Sequence, residues 1–342
     1  MHENTLHIDG HATAVLIGKG LTARLEDIDN ARLVCLVDEN VYVHHAEKLR
    51  GRQCILIPPG EKHKSLGFAE EIMRKMIAAE ADRSSFLVGI GGGLVTDLAG
   101  FVASTFMRGL PFGFISTTLL GQVDASIGGK NGVNLDGFKN MIGVIRQPEF
   151  VWCDLSLLES LHQREMVSGF AEVIKYGAIR DAGLFGYLEK NHAKVLSRDP
   201  AALEKIVADS AGIKIGIVSE DVREQGERKL LNFGHTLGHA IEKLTGMLHG
   251  EAIAIGMVLA ARMSENLGYL ETGEAGRLQS LIAAAGLPVQ TEIGKGELFD
   301  TLLKDKKRSG SAIHFILLKG IGEAFIYNMQ LDSLRTAIND LY

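Results

Sequence analysis

In the segment FGHTLGHAIE, His235 and His239 stand four residues apart and so share one face of a helix. Ten residues after His239 comes His249, in LHGEAIAIGM, at the expected start of the next helix. Such an imidazole pair with a third donor nearby suits Zn²⁺ or a similar ion, although three nitrogens in one region do not require that all three bind. A carboxylate is an equally good further donor. Glu172 in GFAEVIKYG is the best candidate: Lys175 follows one turn later, and Phe170, Ala171, Val173, Ile174 and Tyr176 surround the pair with apolar side chains. Most Glu–Lys pairs at this spacing are ion pairs on a solvated helix face, and the apolar setting argues against that here. For the histidines the competing reading is a satisfied core imidazole. Asn232 and Gly234, in the polar segment that opens the helix, favour metal binding or acid–base work.

Cations form a second group. Lys130 and Lys139 lie in glycine-marked loops (IGGKNGVN and DGFKNMIG), and Lys214, Arg228 and Lys306 are spread through the second half of the chain. Singly each would be ordinary surface; beside Asn and Gly they could converge on one anion. Two glycine segments could also meet phosphate. GKGLTA (18–23) fits G-x-G-x-x-A, with Asp38 at the usual distance for a ribose-binding acid. We read its glycines as a tight turn and Asp38 as functional. GIGGGLVTDLAG (89–100) follows an apolar strand and opens a helix, so its bare backbone N–H groups make the better pyrophosphate cradle.

The elements that must carry these residues follow from periodicity. Short apolar runs at 12–18, 31–38, 53–58, 85–91, 112–117 and 150–154 alternate with amphipathic helix-length segments, which predicts a parallel sheet with helices on both faces. Ligands of such sheets bind at the carboxyl ends of the strands. From 155 to 290 the pattern is helical, with a short β pair at 312–318 and 323–327 before a last helix. Two domains are expected, 1–154 and 155–342. Glycine supplies 40 of 342 residues, roughly 12% against a usual 7% or so, which suggests close backbone approaches. A net charge of −6 and pI near 6.1 exclude the basic stripe of a nucleic-acid binder. The longest apolar run, 252–261, is about half of the roughly 20 residues a membrane span needs. The N-terminus lacks the order of a signal peptide, and the odd trio Cys35, Cys54 and Cys153 argues against disulfides. The expectation is a cytoplasmic protein with cysteines used for packing.

The strings GGGLVTDLAGFVAS, FMRG, STTLLGQVDASIGGKNGVN, FKNMIG, GFAEVIKYG, LLNFGHTLGHAIE and HGEAIAIGM, in that order, resemble the 3-dehydroquinate synthase family of sugar-phosphate cyclases. The resemblance runs from about Asp38 to the DKK at 305–307. It implies an α/β, Rossmann-like NAD-binding domain followed by an all-α metal-binding domain, with the active site between them. It implies NAD⁺ held by Asp38, Asn40, Glu61, Lys64, Gly91, Gly92, Gly93, Asp97, Thr117, Thr118 and Leu120, with Asp124, Lys139 and Ser160 nearby. A divalent metal, Zn²⁺ or Co²⁺, would be bound by Glu172, His235 and His249, which leaves His239 for acid–base work. Substrate phosphate and carboxylate would fall to Lys130, Asn140, Lys175, Lys214, Arg228, Asn232 and a lysine of DKK, taken as Lys306. Arg108 would reach across from a second subunit, so a homodimer is implied. Small departures from the family pattern are FKN for glycine-lysine-asparagine, Ser160 for threonine, and a short interval between His239 and His249.

The reaction implied is conversion of 3-deoxy-arabino-heptulosonate 7-phosphate to 3-dehydroquinate and phosphate in the shikimate pathway, with transient oxidation, β-elimination, reduction and intramolecular aldol closure. The competing readings are another cyclase, such as 2-deoxy-scyllo-inosose or 2-epi-5-epi-valiolone synthase, and a metal- and NAD-dependent polyol dehydrogenase. A catalytically silent scaffold is the third. Lys214, Arg228, Asn232 and Asn140 favour a carboxylate-bearing substrate, and the intact ligand and acid–base set argues against a scaffold.

Overall fold

Branched and aromatic runs bounded by Gly, Asp and Pro build a seven-stranded sheet in the computed structural model, which describes residues 1–136, 138–304, 308–309 and 312–341. The strands are β1 (His2–Ile8), β2 (His11–Gly18), β3 (Leu33–Asp38), β4 (Gln53–Ile57), β5 (Phe86–Gly91) and β6 (Phe112–Ser116). A separate hairpin, β7 (Lys130–Leu135) and β8 (Phe138–Ile145), precedes the last sheet strand, β9 (Phe150–Asp154). The sheet order is β1-β2-β9-β6-β5-β3-β4, parallel throughout except for β1 on β2. Every residue of β6 and β9 is buried, as strands covered on both faces require. The rings of Phe86, Phe150 and Trp152 stack through that layer at centroid separations of 5.8 and 3.9 Å.

Helices α1 (Glu39–His45), α2 (Leu66–Ala78) and α3 (Gly93–Thr105) connect these strands. The chain runs outward from β3 to β4 and then reverses to β5 on the other side of β3. The carboxyl ends of β3 and β5, which carry Asp38 and Gly91, therefore flank a topological switch point, where open α/β sheets take their ligands.

Sequence patterning located six of these strands and missed three. β1 pairs with β2 as a hairpin, so the expected first strand is the second. Lys130 and Lys139, expected in loops, lie on β7 and β8. The hairpin escaped the pattern because it packs through backbone. A Cβ at Gly132 would lie 2.7 Å from the Ile142 carbonyl oxygen, and one at Gly143 would lie 2.4 Å from that of Asn131. Cys35 and Cys153 are buried as expected, whereas Cys54 on edge strand β4 is only partly so.

The second half contains α4 (Gln163–Arg180), α5 (Ala182–Leu196), α6 (Pro200–Glu220), α7 (His235–Thr245), α8 (His249–Asn266), α9 (Glu274–Ala284) and α10 (Lys295–Lys304). A three-stranded antiparallel sheet of β10 (Arg308–Ser309), β11 (Ala312–Gly320) and β12 (Glu323–Gln330) follows, then α11 (Leu331–Asn339). The chain divides into two compact units, one of residues 1–162 with 203–222, the other of 163–202 with 223–342. The core of the second unit joins Leu237, Ile241, Ile255 and Leu259 of α7 and α8 to Phe315 and Leu317 of β11 and Leu334 of α11. Among the described residues no helix is long and apolar enough to cross a membrane.

The turn GKGLTA shows why its glycines are structural. Asp154, at the end of β9, accepts hydrogen bonds from Gly20 N (2.8 Å), Thr22 N (2.9 Å), Thr22 Oγ1 (2.7 Å), Ser156 N (3.1 Å) and Ser156 Oγ (2.7 Å). A protein carboxylate thus already occupies the place an external anion would take. Burial works to raise the Asp154 pKa, but these donors outweigh it and hold the group below the usual carboxylate range. Asp154→Asn, which turns an NH₂ toward N–H donors, should cost about 2–3 kcal/mol at pH 7 by urea unfolding. A depressed folded-state pKa adds stability above the unfolded value, so the difference from wild type should shrink as pH falls through the folded pKa. An unchanged midpoint at pH 7 would remove Asp154 as the anchor of this turn.

Candidate active site

Helix α4 carries Glu172 inward among Phe170, Ala171, Val173 and Ile174, and its carboxylate has no exposed surface. Oε2 pairs with the Lys175 ammonium one turn along, itself 1% exposed. Oε1 lies 3.6 Å from His235 Nε2 and 3.5 Å from His249 Nε2. These separations are longer than an ordinary hydrogen bond. They are close to the roughly 3.3–3.4 Å edge expected between donors about 2.0–2.1 Å from one tetrahedral Zn²⁺.

Local sequence sets this arrangement. Gly234, at φ 76°, turns the chain so that α7 begins at His235. Gly256 lets α8 press against α7, since a Cβ there would sit 2.0 Å from the Gly234 carbonyl oxygen. His235 Nδ1–H donates to the Phe233 carbonyl (3.0 Å), and His249 Nδ1–H donates to Glu242 Oε2 (3.3 Å). Both rings therefore turn Nε2 toward Glu172, where it can carry a proton or, once deprotonated, offer its lone pair to a metal. Burial works against an imidazolium at His249, but Glu172 and Glu242 outweigh it and raise its pKa to about 9. A divalent ion would replace that proton. Donor atoms of His235, His239 and His249 all lie within 4.8 Å of one another, so His239 borders the same space. A buried carboxylate with imidazoles oriented from behind is a donor set that fits Zn²⁺ or Co²⁺.

The cofactor candidates gather in the other unit. Gly92 is the capping residue of α3 and has no side chain to bond the first-turn N–H groups, which suits that end to an anion. A Cβ at Gly92 would sit 2.9 Å from Thr118 Cγ2, and one at Gly93 would sit 3.2 Å from Ala125 Cβ. Thr117 N donates to the Gly91 carbonyl, and Thr118 Oγ1 accepts from Gly121 N as the turn after Leu120 begins. Asp38 caps α1 by accepting from the N–H groups of Asn40 (2.8 Å) and Val41 (3.4 Å), and burial raises its pKa.

Lys64 Nζ bonds both Asp97 and Asn140 Oδ1, the latter at 2.6 Å. Burial pushes the Asp97 carboxyl up, opposed by the Lys64 charge. Glu61 accepts from Asn134 Nδ2 (2.8 Å), whose Oδ1 in turn accepts from Asn140 N (2.9 Å). Lys214 on α6 pairs with Asp124 (2.6 Å). Residues assigned from resemblance to cofactor and to substrate thus share hydrogen bonds.

Ser160 bonds His45 (2.8 Å), and Lys130, Lys139 and Arg108 are exposed. Met107 and Arg108 both adopt left-handed φ, 48° and 72°, an unusual pair for side chains with Cβ atoms. Arg228 is buried, and Asn232 bonds Glu224. Lys306 lies outside the described residues. Sequence reasoning missed Asn134, Glu224 and Glu242. Only Glu242 had a signal: it lies seven residues after His235, on the same helix face.

Known family patterns match both halves of the chain. The model for the 3-dehydroquinate synthase N-terminal region matches residues 54–168, and that for the C-terminal region matches 169–308. A 3-dehydroquinate synthase from Pelobacter propionicus is 43% identical over 322 residues, covering 93% of this chain and 90% of its own. One from Desulforamulus reducens is 46% identical over 276 residues, 79% of this chain and 77% of its own. The solved structure of 2-epi-5-epi-valiolone synthase from Streptomyces hygroscopicus subsp. jinggangensis, with NAD⁺ and Zn²⁺ bound, superimposes with a TM-score of 0.89 at 27% identity over 98% of each chain. Both halves of one family pattern, contiguous and in order, agree with the relatives that match along most of their length: the chain belongs to the 3-dehydroquinate synthase family.

Proposed function

We propose that this chain converts 3-deoxy-arabino-heptulosonate 7-phosphate to 3-dehydroquinate and inorganic phosphate. The observation that carries the reading is the fully buried Glu172 carboxylate facing two oriented imidazoles, in a chain of this family. Glu172, His235 and His249 would hold a divalent ion, and the carboxyl ends of β3 and β5 with the start of α3 would hold NAD⁺. Bound there, the two supply a Lewis acid and a hydride acceptor regenerated within each cycle.

The remaining work falls to side chains. Phosphate leaves and enolate charge develops, so fixed cations lower the barrier by meeting that charge without reorganising. Lys175 is such a cation, buried and held by Glu172. His239, partly exposed with its ring centroid 5.2 Å from that of His235, would move protons. Lys130, Asn140, Lys214, Arg228 and Asn232 would bind the substrate's phosphate and carboxylate, which favours a carboxylate-bearing substrate over those of related cyclases.

We also propose a cytoplasmic homodimer in which Arg108 serves the partner's site. Support comes from the strained backbone that projects Arg108, and from the exposed Leu135, Phe138, Met141 and Ile145 on the β7–β8 hairpin. Mixing an inactive His239→Ala protein with an inactive Arg108→Ala protein should restore part of the activity through heterodimers. No recovery after subunit exchange would place Arg108 in its own subunit's site or outside any site.

Incubation with the heptulosonate phosphate, trace NAD⁺ and Zn²⁺ or Co²⁺ should release phosphate and form dehydroquinate with no net NADH. Accumulating NADH would instead identify a dehydrogenase. His249→Ala should emerge without bound metal. His239→Ala should keep its metal and lose about 10²–10⁴-fold in turnover. A metal-free His239→Ala protein would move that residue into the ligand set.

A further inference from the structure

We propose that Glu242 is a positioning residue for the metal site, holding the His249 ring so that Nε2 faces Glu172. The inference rests on the metal reading of that cluster. Helix α7 stops at Thr245, Gly246 turns at φ 68°, and His249 opens α8 after only two more residues. The backbone there is pinned by α4 and by the first turn of α8 itself. Gly250 N donates to Ser168 Oγ (3.1 Å), and a Cβ at Gly250 would fall 1.9 Å from the Ser168 carbonyl oxygen. Leu248 N donates to Glu251 Oε2 (3.0 Å), and Arg164 grips Glu251 with Nε (2.7 Å) and Nη2 (2.9 Å).

These contacts fix where the side chain starts, but they leave its broad ring torsion open. Its Nδ1 donates to Glu242 Oε2 at 3.3 Å, from the last turn of α7, where that side chain is 12% exposed. A carboxylate behind an imidazole both selects the ligating nitrogen and makes it a stronger donor. His235 achieves the first effect with the Phe233 backbone carbonyl, which mutation cannot remove. His249 relies on a side chain, so its orientation can be tested.

Metal-free wild type, Glu242→Gln and Glu242→Ala should be titrated with Zn²⁺ against a chelator and with Co²⁺ by visible absorption. Both variants should bind Zn²⁺ about 10–100-fold more weakly and change the Co²⁺ spectrum. Their metal-free melting temperatures should fall only slightly, by the loss of one ion pair with His249, too little to account for the weaker binding. Unchanged affinity and spectrum would overturn the role of Glu242, as would weakened binding that merely tracks a lower metal-free melting temperature. Failure of wild type to bind, or retention of metal by His249→Ala, would overturn the metal reading itself.

Discussion

A carboxylate with no exposed surface must be balanced, because desolvating an ion costs several kcal/mol even after relaxation. Glu172 meets this condition with one buried ammonium on its own helix and two imidazoles from other helices. Much of the second unit can be understood as serving that balance. Gly234 starts α7 at the required residue, Gly256 lets α8 approach, and Gly250 seats the beginning of α8 on α4. Replacing such an ionic cluster by apolar side chains would be no less stable in general. Its presence is therefore better explained by chemistry than by folding.

The nucleotide-binding side follows the opposite rule. There the backbone leaves its donors available, and the contrast between two glycine turns makes the point. In the turn after β2, Asp154 already satisfies the amides. At the start of α3 the capping position is Gly92, which has no side chain to do so, and the crowding around Gly92 and Gly93 would resist a larger residue. Similar composition thus gives a structural turn in one place and an anion cradle in the other.

These differences mark what was legible in advance. The parallel strands were visible because covered strands are continuously apolar, and the His235–His239 face followed from helical periodicity. Glu172 stood out as a candidate donor from its apolar setting, whereas the choice of Glu172, His235 and His249 over His239 came from family resemblance, since Glu172 lies 63 positions before His235 along the chain. The β7–β8 hairpin was missed because glycine-to-glycine packing leaves no alternation to read. Contacts such as Lys64 with Asp97 and Lys214 with Asp124 join charges whose partners only the fold selects.

Helix α6 begins with Pro200, yet from Leu203 onward it groups with the strand-rich unit. The polypeptide therefore passes from one unit to the other three times, after residues 162, 202 and 222. Neither unit is a continuous stretch of gene. A fragment starting at residue 169, where the second family pattern begins, would carry Lys214 away from Asp124 and strip a helix from the strand-rich unit. Such interleaving ties the inheritance of the two units together, so the cofactor half cannot be exchanged for another by a single recombination.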